Sequence, residues 1–294
     1  MPILLTGTSG YLGSLLHKAF SDRPVIKLRF DISESHYNWD NSNLDICYQS
    51  EDFTIIHAGA LTPKSQKELN SRDDYSLNTI STIKLLEILP KPPKRILYLS
   101  TADVYVSSTD FINEFTSPIP HNAYTKSKIA SEDLIRSYAQ SKGCESVLLR
   151  IGSVFGPNNL NYRKAIEVMI NDAMTKGVIE LVGTGNERRP FVFEDDLISQ
   201  IVHLEGKECL PEVINLVGDK DRTVNQVLET ILKRFPQTSI RRNHNSVFQG
   251  SIFDERQFNR KVFWQVLPDF VFSDFEESIG RTIDAQFAQH YLGS

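Results

Sequence analysis

Two side chains in this sequence have the types and spacing needed to exchange a proton with a small molecule. Tyr124 and Lys128 are four residues apart in a stretch predicted to be helical, so they project from the same helix face. A free phenol has a pKa of about 10, and a nearby ammonium favours the phenolate. Ser100 and Thr101 follow a predicted strand at 96–99, where a hydroxyl can hold a substrate oxygen.

A glycine-rich turn opens the chain. Gly7, Gly10 and Gly13 lie at three-residue spacing between an apolar run at 3–6 and a segment at 11–20 with helical periodicity. Glycine lets the backbone approach a pyrophosphate, and the helix N-terminus offers free N–H groups. This arrangement predicts a dinucleotide site, and the alternative is a tight turn without a ligand.

The residue that follows the second predicted strand bears on which dinucleotide binds. The strand at 25–28 ends in Arg29, where the usual fingerprint has an acid that binds the ribose hydroxyls. A guanidinium pairs with a 2′-phosphate instead, which favours NADP over NAD. Asp31 could still bind a ribose, so NAD stays possible, and Arg29 could also be a solvated surface residue.

Strands alternate with helices through the first half of the chain. This order predicts an α/β fold with a doubly wound parallel sheet of the Rossmann type and helices on both faces. Predicted strands cover 3–6, 25–28, 53–57, 96–99 and 146–149, and predicted helices cover 11–20, 75–89, 123–139 and 164–174.

Beyond Gly156 and Pro157 the pattern loosens into shorter elements, which predicts a smaller C-terminal α/β substrate domain. The expected division gives residues 1–157 to the dinucleotide-binding domain, with 186–205 returning to it, and residues 158–185 and 206–294 to the substrate domain.

Composition argues against several classes of partner. The formal net charge is −5, and no block of like charges indicates binding to nucleic acid or to a membrane surface. No apolar segment is long enough to span a bilayer, so we expect a cytoplasmic protein. Cys47, Cys144 and Cys209 show neither metal-ligand spacing nor a disulfide framework, so we expect no metal.

Several segments together resemble the extended short-chain dehydrogenase/reductases, and within them the nucleotide-sugar epimerase/dehydratase/reductase group. The resemblance runs through nearly the whole chain. It includes GTSGYLG at 7–13, HAGA at 57–60, STADVY at 100–105, AYTKSK at 123–128 and GTGNERRPFVFEDDL at 183–197. The last segment is the most specific, because simpler short-chain reductases lack it.

The resemblance implies a role for each matching residue. Tyr124 would be the proton donor or acceptor, Lys128 would tune its pKa and bind a ribose, and Thr101 would contact the substrate oxygen. The implied cofactor-binding residues are Gly7, Ser9, Gly10, Tyr11, Leu12, Gly13, Arg29, Asp45, Ile46, Ala58, Gly59, Ala60, Asn78, Lys128 and Val154. The implied substrate-binding residues are Thr62, Thr101, Ser153 and Arg189.

Four positions depart from the family pattern. Val106 stands where a glycine is usual, and Ser153 stands where an asparagine often contacts the substrate. Dehydratases of the group have an Asp-Glu pair where this chain has Ala102 and Asp103, so the general acid for water loss is missing. Asp103 could still act as an acid or base, or it could be a solvated loop carboxylate.

The function implied first is an NADP-dependent reductase of a nucleotide-activated 4-keto-6-deoxy sugar, in surface-polysaccharide or deoxysugar biosynthesis. An NAD-dependent nucleotide-sugar 4-epimerase is the second hypothesis, since it would use the same residues. A non-catalytic dinucleotide-binding regulatory protein is the third. The resemblance also implies a homodimer formed through the helices that contain Asn78 and Tyr124.

Overall fold

The structure is a computed structural model that describes residues 1–33, 36–40, 44–63, 75–106, 111–159, 164–243 and 256–292. The helices in these ranges are α1 (Tyr11–Ala19), α2 (Asp45–Gln49), α3 (Ser76–Ile88), α4 (Ala123–Lys142), α5 (Ala165–Lys176), α6 (Glu194–Glu205), α7 (Val224–Arg234), α8 (Lys261–Val266) and α9 (Phe275–Leu292). The strands are β1 (Ile3–Thr6), β2 (Val25–Leu28), β3 (Phe30–Ser33), β4 (His36–Trp39), β5 (Thr54–His57), β6 (Arg95–Thr101), β7 (Glu145–Ile151), β8 (Ser153–Phe155), β9 (Val178–Val182), β10 (Arg188–Arg189), β11 (Phe191–Phe193), β12 (Val213–Leu216), β13 (Arg222–Thr223) and β14 (Ser239–Asn243).

Six parallel strands form the main sheet, in the order β12-β7-β6-β5-β1-β2. The chain moves outward from β1 to β2 and then returns to β5 on the other side of β1. Strand order therefore reverses between β1 and β5, and open α/β sheets bind ligands in the crevice at such a point. The prediction of a doubly wound parallel sheet is confirmed.

Apolar side chains cover both faces of this sheet, as the unbroken apolar runs of its central strands predict. Residues of β1 alternate between the two faces, so Ile3 and Leu5 join one cluster with Leu204 of α6, and Leu4 joins another with Ile135 of α4. Helices α3 and α4 thus lie on the opposite face from α1 and α6.

A second apolar cluster lies in the C-terminal part of the chain. It contains Ile170 of α5, Ile179 of β9, Val227 of α7 and Ile283 of α9. Strand β14 pairs in parallel with β9 at the edge of this cluster. These elements form a smaller α/β unit beside the main sheet.

One expected domain range was wrong in part. Strand β12 falls in the range 206–294, which was given to the substrate domain, yet it is the sixth strand of the main sheet. The backbone of β12 pairs in parallel with β7, whose N–H and C=O groups on that edge would otherwise lack partners. Helix α8 packs on β12, and its Phe263 lies in the core of the main sheet.

Helix α4 begins with a capping box between Asn122 and Thr125 and ends at Gly143, which has a φ of 68°. The face toward the sheet carries charged and polar residues that are buried in pairs. Glu132 accepts a hydrogen bond of 2.5 Å from Ser100 of β6 and bonds of 3.1 and 2.7 Å from Arg150 of β7. These contacts fix the position of α4 along β6, because breaking a buried ion pair leaves an uncompensated charge.

Within the described ranges, no helix has both the length and the apolar character that crossing a membrane requires.

Candidate active site

The glycine turn lies at the point where strand order reverses. Gly7 has a φ of 74°, and a Cβ at this position would lie 2.6 Å from the amide nitrogen of Gly59. A Cβ on Gly13 would lie 2.0 Å from the carbonyl oxygen of Gly7. The close packing of α1 on the turn therefore requires glycine, and the N-terminus of a helix is the end that favours an anion.

A cleft of about 630 Å³ opens between this turn and the ends of β2 and β5. Eight of the residues that the sequence assigned to cofactor binding line it: Gly7, Ser9, Gly10, Arg29, Ala58, Gly59, Ala60 and Asn78. The size of the cleft and the narrow backbone turn at its base fit one end and the pyrophosphate of a dinucleotide.

Three assigned residues support the cleft from the core instead of lining it. Leu12 packs against the core of the main sheet, Gly13 is buried in α1, and Val154 is buried in β8.

Two other residues assigned to the cofactor, Asp45 and Ile46, lie outside the cleft. Asp45 and Ile46 are exposed on α2 and are not among the described residues that line the cleft. Phe30 and Trp39 line it instead, with ring centroids 4.9 Å apart. Both rings belong to the β3–β4 pair of strands, which comes between β2 and α2 along the chain. Trp39 is anchored by a 2.8 Å bond from Nε1 to the carbonyl of Ser81.

Asn78 connects three elements at the edge of the cleft. Its side chain accepts a 2.7 Å bond from the amide of Leu61 and donates a 3.0 Å bond to the carbonyl of the same residue. It also donates to Ser127 of α4 at 3.1 Å. Asn78 therefore holds the loop after β5 against α3 and α4, in addition to facing the cleft.

Thr101 and Tyr124 are brought together at the carboxyl end of β6. Tyr124 is 6% exposed, and its phenol hydrogen-bonds with the hydroxyl of Thr101. The Thr101 hydroxyl also accepts a 3.1 Å bond from the amide of Asp103, the middle residue of a short 3-10 turn at Ala102–Val104. The end of this strand therefore brings a hydroxyl to the phenol, and the roles assigned to the two groups stay predictions.

The pKa of Tyr124 lies above its ordinary value. Burial is the main cause, and the negative charge of Asp103 adds to it, while the bond with Thr101 acts in the opposite direction. In the chain alone, Tyr124 is therefore a neutral phenol across the physiological range. An ammonium and a cationic nicotinamide together are expected to favour the phenolate, and for the cofactor-bound protein this stays a prediction.

Lys128 is buried directly beside the strand that carries Thr101. Its ammonium donates a 2.6 Å bond to the carbonyl of Leu99 and lies 4.5 Å from the ring centroid of Tyr98. Burial lowers the pKa of Lys128 to about 7, although the charge of Glu132, one turn along α4, raises it. Near neutrality this group can therefore change its charge.

His57 at the end of β5 is a buried polar residue that the sequence argument did not single out beyond its segment. Its ring bonds with the hydroxyls of Thr6 at 2.8 Å and Thr82 at 3.1 Å. Burial lowers the pKa of His57 to about 3, so the ring is neutral and connects β1 and β5 with α3.

The residues assigned to the substrate are spread over several elements. Ser153 of β8 and Thr62 after β5 are half-buried, and Ser153 donates its amide to Pro190 at 2.9 Å. Arg189 of β10 has a buried Nε that finds no hydrogen-bond partner among the described residues. Its charge is close enough to lower the pKa of Asp103. Arg189 and Asp103 therefore face a common region beyond the end of β6.

A buried carboxylate that the sequence argument missed connects the two halves of the site. Glu194, at the start of α6, accepts a hydrogen bond from the phenol of Tyr11 and a 3.1 Å bond from the amide of Asn158. Tyr11, assigned to the cofactor, thus reaches across to the loop after β8. Glu194 lies in the segment FVFEDD, which is part of the stretch at 183–197 that resembles the family. Only the fold shows that this carboxylate contacts α1.

Among the described residues, no three His, Cys, Asp or Glu side chains are grouped in a way that could hold a metal ion.

A family model described as "NAD dependent epimerase/dehydratase family" matches residues 3–216, the span that contains the glycine turn, Thr101, Tyr124 and Lys128. The chain belongs to this family. The match confirms the resemblance to the nucleotide-sugar epimerases, dehydratases and reductases.

Members of the family differ in reaction and in length. The chain is 25% identical over 316 residues to an Arabidopsis thaliana trifunctional UDP-glucose 4,6-dehydratase/UDP-4-keto-6-deoxy-D-glucose 3,5-epimerase/UDP-4-keto-L-rhamnose-reductase, with 96% of this chain and 46% of that protein covered. The chain thus spans about half the length of that relative. It is 21% identical over 308 residues to the dTDP-4-dehydro-6-deoxyglucose reductase of Escherichia coli, with 96% and 97% covered.

Among solved structures, MoeE5 in complex with UDP-glucuronic acid and NAD superposes with a TM-score of 0.79. The two chains are 18% identical, and the match covers 98% of this chain and 100% of MoeE5. This likeness shows the fold.

Replacing Gly13 by alanine tests the phosphate-binding turn. The added Cβ would collide with the backbone of Gly7 and push α1 away. We expect overpacking of about 1–3 kcal/mol and a loss of about tenfold or more in dinucleotide affinity. Gly206→Ala is the matched control, since its Cβ would come no closer than 3.7 Å to a neighbour. The affinity of each variant for NADPH and NADH is measured by fluorescence titration. If Gly13→Ala binds them as tightly as Gly206→Ala does, the glycine turn is not the phosphate-binding site.

Replacing Lys128 by methionine tests whether the buried ammonium destabilises the fold. Its pKa is about 7 in the folded chain and near 10.5 in the unfolded chain, so the unfolded state binds more protons between these values. Stability of the unaltered protein should therefore rise with pH above about 7. Lys128→Met should be more stable by on the order of 1 kcal/mol below pH 7, roughly 2–4 °C in melting temperature.

The advantage of Lys128→Met should shrink between about pH 7 and pH 10. Lys126→Met, an exposed change on the same helix, should differ little from the unaltered protein at any pH. Urea unfolding at pH 6 and pH 9 provides the measurement. A Lys128→Met protein that is less stable at pH 6, or whose advantage does not vary with pH, would show that the buried ammonium is not strained.

Proposed function

We propose that this chain is an NADP-dependent reductase of a nucleotide-activated 4-keto sugar, in particular a 4-keto-6-deoxy sugar. The observation that carries the proposal is the buried phenol of Tyr124, which bonds with Thr101 beside the dinucleotide cleft and has a raised pKa. A phenol that stays protonated in the resting protein is suited to give a proton to an oxygen that gains negative charge.

The reaction adds a hydride to the keto carbon and a proton to the keto oxygen. The reduced dinucleotide, when bound, supplies the hydride. Tyr124 donates the proton, and the hydroxyl of Thr101 holds the same oxygen. Lys128 offers positive charge near the phenolate that Tyr124 leaves, since its pKa of about 7 allows it to take up a proton as negative charge develops.

Loss of water from the sugar is not supported by the residues after Thr101. Ala102 is buried in the 3-10 turn and has no proton to give. The pKa of Asp103 is lowered. Burial raises it, but the positive charges of Arg256, Arg189 and Lys164 lower it by more. A carboxylate that is ionised near neutrality is a poor general acid. These two positions favour reduction over dehydration.

Arg29 supports NADP as the dinucleotide. It is exposed at the end of β2 and lines the cleft beside Phe30 and Trp39, where an adenosine ribose would lie. A guanidinium at this place pairs with a 2′-phosphate.

The sugar is proposed from the family and its members. The reductase of Escherichia coli acts, by its name, on dTDP-4-dehydro-6-deoxyglucose, and it matches this chain over nearly its whole length. Arg189, with its buried Nε facing the region of Asp103, provides a cation for a phosphorylated substrate. Such a product would enter deoxysugar or surface-polysaccharide synthesis. We also infer a homodimer through α3 and α4, where Ile83 remains 37% exposed.

The proposal is tested by incubating the protein with NADPH and a panel of dTDP- and UDP-linked 4-keto-6-deoxy sugars and by identifying the products. We expect oxidation of NADPH matched by formation of a 4-hydroxy sugar. Tyr124→Phe should lower kcat by about 10²–10⁴-fold, since it removes the proton donor. Tyr138→Phe, on the same helix, should keep the activity of the unaltered protein.

Two results would contradict this function. If nucleotide is retained through purification and a sugar inverts at C4 without net consumption of NADPH, the protein is an epimerase. If Tyr124→Phe turns over as fast as the unaltered protein, Tyr124 is not the proton donor.

The choice of dinucleotide is tested at Arg29. Arg29→Ala should weaken NADPH binding by about 1.5–3 kcal/mol, the value of a charged hydrogen bond, and should leave NADH binding nearly unchanged. Lys27→Ala removes an exposed cation two residues earlier on β2 and should change neither affinity by more than about twofold. Tighter NADH than NADPH binding in the unaltered protein would overturn the preference for NADP.

A further inference from the structure

A buried arginine from the C-terminal segment reaches the turn that follows Thr101. The Arg256 side chain is 1% exposed, and its Nη1 donates to the Asp103 carboxylate at 3.2 Å and to the Ala102 carbonyl at 3.2 Å. About 150 residues separate the partners in sequence, so only the tertiary structure brings them together. One cation thus holds two successive residues of the Ala102–Val104 turn.

The residues directly after Arg256 contact two other parts of the chain. Ile112 donates its amide to the carbonyl of Gln257 at 2.7 Å and accepts from the amide of Asn259 at 2.8 Å. The amide of Phe258 donates to Asp221 at 2.8 Å, and the Phe258 ring packs edge-on against Tyr105. These contacts hold the backbone from which the Arg256 guanidinium extends to the turn.

The turn in turn fixes the hydroxyl that meets the phenol. Thr101 accepts its 3.1 Å bond from the amide of Asp103, the residue that Arg256 holds, and Thr101 also bonds with Tyr124. A continuous chain of contacts thus runs from Arg256 through Asp103 and Thr101 to Tyr124. Displacement of a catalytic hydroxyl by about 1 Å can lower a rate about 10²-fold.

Three cations surround Asp103, but they differ in their contacts. Arg256 makes a direct bond, whereas Arg189 and Lys164 act on Asp103 through their charge. The carboxylate of Asp103 in turn raises the pKa of Tyr124. The charge and position of the Asp103 carboxylate therefore influence the pKa of the Tyr124 phenol. Arg256 is the group that fixes the position of that carboxylate.

We propose that Arg256 is a positioning residue for the reaction, one that places Thr101 beside Tyr124 by holding Ala102 and Asp103. The kinetic consequence rests on the proposed reductase function. The positioning itself does not, since it concerns contacts within this chain.

The kinetic test compares Arg256→Gln, Arg256→Lys and Arg260→Gln in the full-length protein. Arg256→Gln should lower kcat by about ten- to a hundredfold with KM changed by less than about threefold. Arg256→Lys should recover most of the lost kcat, because an ammonium can still bond with Asp103. Arg260 lies on the same segment as Arg256 and bonds with Asp221 and with the carbonyl of Gly218. Arg260→Gln removes these side-chain bonds but leaves the backbone bonds beside Arg256, from Ile112 to Gln257 and from Phe258 to Asp221, so it should keep kcat.

A second measurement needs no substrate. Carbon-13 NMR of protein labelled at the aspartate carboxyl and the tyrosine ζ-carbon follows Asp103 and Tyr124, with the signals assigned by their loss in Asp103→Asn and Tyr124→Phe. In Arg256→Gln the pKa of Asp103 should rise by about one unit or more, and the Tyr124 signal should move. In Arg260→Gln both signals should stay.

The two measurements separate the two proposals. If no sugar is reduced by the unaltered protein but both signals respond to Arg256→Gln, the reductase function fails and the positioning role stands. If Arg256→Gln lowers the melting temperature as Arg260→Gln does, while kcat and both NMR signals are unchanged, Arg256 is merely structural and the inference is wrong.

Discussion

Buried charged groups attach helix α4 to strand β6. The rest of the site depends on this attachment. Lys128 bonds with the carbonyl of Leu99, while Glu132 accepts from Ser100 and pairs with Arg150. Each of these groups would be unfavourable to bury alone, and one placement of the helix satisfies them all. That placement sets Tyr124 at the carboxyl end of β6, where the sheet also opens its cleft.

Burial in this region also sets the protonation states. Removal from water disfavours charge, so the pKa of the Tyr124 phenol rises and the pKa of the Lys128 ammonium falls to about 7. The same helix therefore carries a neutral phenol at Tyr124 and, one turn later, a lysine whose pKa lies near neutrality.

The sequence was most informative where the structure depends on neighbours along the chain. Strands at 25–28 and 3–6 and the glycine turn were predicted at their observed positions, because periodicity and turn chemistry are local. The spacing of Tyr124 and Lys128 was equally readable, since four residues make one helical turn. The range that contains β12 was given to the wrong domain, because its four residues carry no sign of which sheet edge they will extend.

By itself, the sequence determined the doubly wound sheet, the dinucleotide turn and the face of α4 that carries Tyr124 and Lys128, since apolar patterning and glycine spacing encode these features directly. Only the tertiary structure decided which distant groups meet them. Trp39 lines the cleft from the β3–β4 hairpin, and Arg256 reaches Asp103 from the far end of the chain. Such contacts form because buried polar groups must find partners, and the partner that is near in space need not be near in sequence.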